Sequence, residues 1–185
     1  KVGIAHTRWA THGAKNDINA HPHIDFKESV SLVHNGIITN YGTLKKFLIS
    51  EGYQFYGETD SEVIANIISF HLQKTENHFL AFKKAINQLE GSWGLVVIFK
   101  DKSESLFISK SGSPILLGKT EEGILVGSES SAFCNRSRSI ISLEEGDILE
   151  INLDNVNTGD GEYKSLSSFF KNRDIISLEK ISFQK

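Results

Sequence analysis

Five of the seven histidines of this chain fall within its first 34 residues, set among Arg, Thr, Asn and Gly. They occur in His6-Thr7-Arg8-Trp9-Ala10-Thr11-His12-Gly13, in Ala20-His21-Pro22-His23 and in His34-Asn35-Gly36. Hydrogen-bonding side chains this dense beside glycines suit a surface that holds a small polar ligand. Arg8 can grip both oxygens of a carboxylate through its planar fork, and Thr11 and His12 would add donors to the same ligand. The same three residues would also serve as an ion-pair partner and as groups that tie down a loop. Asn35-Gly36 reads either as a plain turn or as an oxyanion hole, with the Asn amide and the Gly N–H aimed at developing negative charge. Asp60, at the head of a helical pattern, is an N-cap or first-turn residue, or else a carboxylate for a ligand ammonium group. His21-Pro22-His23 invites a metal, but no acidic residue stands at ligand spacing, and Pro22 favours extended backbone that would aim the two imidazoles apart. No metal is expected. Cys134 reads as a semi-buried thiol, so no nucleophile accompanies the polar cluster in sequence.

The elements that must carry these residues follow from periodicity. Val30 to Val33 reads as a strand that delivers His34-Asn35-Gly36 into a turn. Asn40 could cap a helix from about Tyr41 to Glu51, with Leu44, Phe47 and Leu48 at helical spacing and Gly52 as its stop. Thr59 and Glu62 form a capping-box pattern, after which Val63, Ile64, Ile67, Ile68 and Leu72 make one apolar face. A third helix spans about Asn77 to Leu89. From Gly94 onward short apolar runs follow: Leu95 to Phe99, Ser105 to Ser109, Ile115 to Leu117, Ile124 to Val126, Ile140 to Leu143 and Ile148 to Ile151. Gly, Ser, Asp and Glu separate them, as in an antiparallel meander. Helices grouped before strands argue for α+β layers over βαβ units. After Leu153 the chain turns polar and reads as an edge hairpin or a linker, and Lys1 to Ala5 reads as the middle of a strand.

At 185 residues the chain suffices for one domain with a real core. A net charge of −3 without a basic stripe argues against nucleic acid. No apolar run approaches the roughly 20 residues that span a bilayer. A single cysteine excludes an internal disulfide framework and fits a reducing, cytoplasmic setting.

Six segments in order, HTRWATHG, NAHPH, VHNGIITN, ETDSEVIA, SGSPILLG and LEEGDILEI, resemble the glutamine–fructose-6-phosphate aminotransferases. The likeness runs from Gly3 to about Leu153. It implies an N-terminal-nucleophile hydrolase fold, an α+β four-layer αββα sandwich of two mostly antiparallel sheets between helical layers. It implies hydrolysis of L-glutamine to glutamate and ammonia without a cofactor. Arg8 would clamp the glutamine α-carboxylate with Thr11 and His12, His21 would lie close by, and Asp60 would take the α-ammonium. Asn35 and Gly36 would form the oxyanion hole, and Trp9 would help gate ammonia. The family attacks the amide with a cysteine at its mature N-terminus, whose α-amino group assists as base. Residue 1 here is Lys1. The expectation is therefore a piece of a longer protein. Residues 1–153 would be a glutaminase domain truncated at its N-terminus. Residues 154–185 would be an edge segment and linker towards an absent sugar-isomerase domain that binds fructose-6-phosphate. The complete protein would be a homo-oligomeric transaminase, and this piece alone would be inactive and aggregation-prone. The alternative is a non-catalytic glutamine-binding or regulatory module.

Overall fold

A computed structural model describes residues 1–7, 16–133, 136–137, 139–159 and 162–176. The apolar alternation along its strands produces two antiparallel sheets. The larger has seven strands: β1 (His23–Ile24), β2 (Val30–Ile38), β3 (Gly91–Phe99), β4 (Leu106–Ser111), β8 (Ile148–Ile151), β9 (Asn155–Asn157) and β10 (Tyr163–Ser165), adjacent in that order. The smaller runs β11 (Ile175–Ile176), β7 (Ser139–Ser142), β5 (Leu116–Lys119), β6 (Ile124–Gly127). The run of strands after Gly94 is therefore no simple meander: β4 pairs with β8, while β5 and β7 leave to form the second sheet. Pairing partners 40 residues apart are invisible to local periodicity.

Period-two patterning gives each central strand two buried faces. Val30, Leu32 and Ile38 of β2, with Leu95, Val97 and Phe99 of β3, face helices α1 (Tyr41–Ser50), α2 (Asp60–Thr75) and α3 (His78–Ile86). Val33, Val96 and Ile108 face the other way, against Leu117, Ile141 and Leu143 of the second sheet region, and α4 (Leu166–Lys171) adds Leu166, Phe169 and Phe170. The result is an α+β sandwich in which the seven-stranded sheet lies between helices and the second sheet. The outer face of that second sheet holds Leu116 and Ile140 under Phe133, which belongs to a 3-10 turn over Ser130–Phe133. The polar stretch after Leu153 supplies the edge hairpin β9–β10. Residues 1–7 join no strand, although Val2, Ile4 and His6 are half-buried and their neighbours exposed.

The helices carry their expected signals with two differences. Thr59 Oγ1 accepts from Glu62 N at 3.2 Å, but the Glu62 carboxylate turns to Tyr56 N (2.8 Å) and Gly57 N (2.9 Å), fastening the incoming loop instead of closing the box. Asn40 makes no side-chain cap on α1. Its amide donates to Gln88 O and accepts from Glu90 N, joining the start of α1 to the turn ahead of β3.

Asp25 anchors the turn between β1 and β2. Its carboxylate is buried and accepts from the backbone N–H groups of Lys27, Ser29 and Val30 at 3.0, 2.7 and 2.6 Å. Asp25→Ala strips three donors of their acceptor, and an unsatisfied buried group costs about 1–3 kcal/mol. The variant should unfold at clearly lower urea concentration with an unchanged slope. A midpoint equal to wild type would contradict this role.

Candidate functional site

Strand β2 organises the polar cluster. It passes straight through His34-Asn35-Gly36 and pairs with β3 residue by residue from Val30↔Phe99 to Ile38↔Gly91. The turn reading of Asn35-Gly36 is thereby excluded. Gly36 sits in mid-strand at φ +130°, opposite Trp93, and a Cβ there would overlap the Ser92 carbonyl oxygen. Gly91 answers it at φ +121°, where a Cβ would overlap the Ile37 carbonyl oxygen. Two side-chain-free positions thus allow the strands to approach closely where Asn35 and Gly36 remain half-buried and reachable.

Alternation then sends successive side chains to opposite faces. His34 points toward α2, where its Nδ1 lies 3.0 Å from Ser61 Oγ. Burial pushes the His34 imidazole below its ordinary range, while the nearby Asp60 carboxylate and the Ser92 backbone pull the other way. Asn35 points to the face lined by the first residues, and its Oδ1 lies 2.7 Å from His6 Nε2.

Asp60 is the first residue of α2, after the N-cap Thr59, and is buried. Its Oδ2 accepts from Ile38 N at 2.9 Å, locking the helix start to the end of β2. The helix N-terminus favours its negative charge. One carboxylate oxygen is thus structural, and Asn35, Gly36 and Asp60 are held by one strand.

His21 and His23 do not diverge. The preceding 3-10 turn, Asp17–Asn19, is capped by the Asn16 side chain and folds the chain back. The His21 ring lies tilted against His6, with centroids 4.3 Å apart, and meets His23 edge-on at 4.7 Å. His23 in turn lies 3.3 Å from Thr59 Oγ1. A chain of imidazoles therefore connects Asn35 to the cap of α2. Among the described residues no group of three His, Cys, Asp or Glu side chains converges to hold a metal, and no helix is long and apolar enough to cross a membrane. Arg8, Trp9, Thr11, His12 and Cys134 lie outside the described residues. Sequence reasoning placed His6, His23 and His34 in the polar cluster without giving them a role, and it did not single out Ser61. The available signal was their adjacency to Arg8, His21, Asn35 and Asp60 in the motifs.

A histidine that is neutral when folded opposes acid. The lowered His34, and His71 lowered by the same desolvation, take up protons more readily when unfolded. Stability from both is complete above about pH 6.5 and is lost as pH falls below that value. Thermal melts at pH 7.5 and 5.5 should show a drop that is smaller in His34→Gln. An equal drop in that variant would contradict the assignment.

The glutamine amidotransferase domain model matches residues 6–135. Among curated proteins, the glutamine–fructose-6-phosphate aminotransferase (isomerizing) of Helicobacter pylori is 44% identical over 83% of this chain and 26% of its own length. That of Legionella pneumophila strain Paris is 45% identical over 79% of this chain and 24% of its own. That of Thermococcus kodakarensis is 43% identical over 78% and 24%. The chain spans about a quarter of the length of these curated relatives. Two solved structures share the fold at lower identity. One is a glutamine phosphoribosylpyrophosphate amidotransferase from B. subtilis complexed with ADP and GMP, with TM-score 0.66 and 23% identity over 86% of this chain and 33% of that one. The other is described as the allosteric regulatory enzyme of purine biosynthesis, with TM-score 0.68 and 24% identity over the same shares. With its two antiparallel sheets and six motifs in register, the chain belongs to the glutamine amidotransferase domain family.

Proposed function

We propose that this chain is the glutaminase part of a glutamine–fructose-6-phosphate aminotransferase, releasing ammonia from L-glutamine for glucosamine-6-phosphate synthesis. The observation that carries the reading is the gathering of three chemically distinct groups by one strand. Asn35 and Gly36 stand side by side on β2, and Asp60 is hydrogen-bonded to Ile38 of the same strand. Identities of 43–45% to proteins of that name support the acceptor chemistry.

In this reading a cysteine thiolate supplied by sequence outside these 185 residues attacks the glutamine side-chain carbonyl carbon. The carbonyl oxygen becomes an oxyanion, which the Asn35 Nδ2 and the Gly36 N–H stabilise. The α-amino group of that cysteine, having taken the thiol proton, gives it to the amide nitrogen, so that collapse of the tetrahedral intermediate expels ammonia, and water then hydrolyses the thioester to glutamate. Asp60 holds the substrate α-ammonium through the oxygen not engaged by Ile38, and neutral His34 beside it adds no competing positive charge. Arg8, Thr11 and His12 clamp the α-carboxylate, His21 backs the site, and Trp9 contributes to the ammonia path. Residues 1–153 form the glutaminase unit, and 154–185 lead towards a sugar-isomerase domain that takes fructose-6-phosphate. The complete protein acts in the cytoplasm as a homo-oligomer.

The full-length protein tests this by glutamate release from L-glutamine. Asn35→Ala should lower kcat about a hundred- to a thousandfold with little change in KM. Asp60→Ala should instead raise KM about tenfold or more, as expected for the loss of a charge-assisted contact of about 1.5–3 kcal/mol. Glutamine binding without any turnover by the full-length protein would contradict the reading.

A further inference from the structure

We propose that His6 is a positioning residue for the oxyanion hole, fixing which end of the Asn35 amide meets the reacting carbonyl; this rests on the glutaminase reading above. The two ends of a carboxamide have nearly the same shape and opposite function, since the oxygen only accepts and the nitrogen only donates. An oxyanion site requires the donor. Turned over, Asn35 would present its oxygen to the developing negative charge and oppose the reaction.

His6 with its proton on Nε2 removes that freedom. Its Nε2 lies 2.7 Å from Asn35 Oδ1 across 29 residues of chain. Because an amide oxygen can only accept, Nε2 is the protonated nitrogen, and Nδ2 of Asn35 is left for the site. The imidazole is itself held. It packs at a tilt against His21 with centroids 4.3 Å apart, His21 meets His23 edge-on at 4.7 Å, and His23 reaches Thr59 at the head of α2. The same helix carries Asp60. The orientation of the Asn35 amide is thus tied to the element that carries the candidate ammonium ligand.

The test uses steady-state glutaminase kinetics of the full-length protein with L-glutamine, on His6→Leu, His6→Gln, Asn35→Ala and the double variant His6→Leu/Asn35→Ala. His6→Leu should lower kcat about tenfold to a hundredfold, less than loss of the donor itself, with KM changed by no more than about threefold. His6→Gln, whose amide N–H can donate to the same oxygen, should recover most of the loss. The double variant should be no slower than Asn35→Ala alone, because His6 acts only through that side chain. A loss from His6→Leu that is equally large in the Asn35→Ala background would overturn the inference. So would a loss carried by KM, an unrecovered His6→Gln, or a loss that merely follows a lower melting temperature in both His6 variants. Turnover sensitive to Asn35 but indifferent to His6 also overturns it and leaves the glutaminase reading standing. Undiminished turnover in Asn35→Ala would overturn that reading itself, and this inference with it.

Discussion

The close approach of β2 and β3 at Gly36 and Gly91 is the constraint on which the rest depends. Each glycine stands where a Cβ would collide with the carbonyl oxygen of the opposite strand, and both take positive φ. Only there can the two backbones come this near while keeping antiparallel register from Val30 to Ile38. A one-residue slip would exchange the faces of His34 and Asn35, burying the amide under α2 and exposing the imidazole on the other side. Register at this pair of strands is therefore also the register of the site.

The second support is the unusually polar start of α2. Thr59, Asp60, Ser61 and Glu62 are all buried, and each has a defined partner. Thr59 caps the helix, Asp60 takes Ile38 N, Ser61 meets His34, and Glu62 secures Tyr56 and Gly57. Burying such groups is costly unless they are hydrogen-bonded. A helix that needed only an apolar face would not carry them. Further along, Asn66 accepts from Phe26 N at 2.8 Å, so the same helix also holds the β1–β2 turn. Helix and strand are fixed together before any ligand arrives, which is what preorganised electrostatic catalysis asks of its scaffold.

Much of this was readable from local pattern, for reasons that also explain the misses. The three long helices follow from apolar spacing, and the start of α2 from Thr59 as its cap, because these signals act within a turn or two. Most short strands followed from apolar runs between turn residues. The exchange of partners between sheets did not, since β4–β8 pairing depends on contacts 40 residues apart. Asn35-Gly36 has the local chemistry of a turn, and pairing with Gly94 and Trp93 of β3 makes it mid-strand. Pro22 locally favours separation of its flanking histidines, yet His21 meets His23 edge-on and packs against His6. Motif resemblance supplied Asn35, Gly36 and Asp60 as a group, whereas their support by His6 and His34 needed three-dimensional neighbours.

The most direct measurement is a crystal structure of the full-length protein with L-glutamate, the product of the proposed reaction. The account predicts a side-chain carboxylate oxygen within about 3 Å of both the Gly36 N–H and Asn35 Nδ2, and the α-ammonium on the carboxylate of Asp60. Glutamate bound elsewhere, or bound with the Asn35 oxygen turned toward its carboxylate, would contradict it.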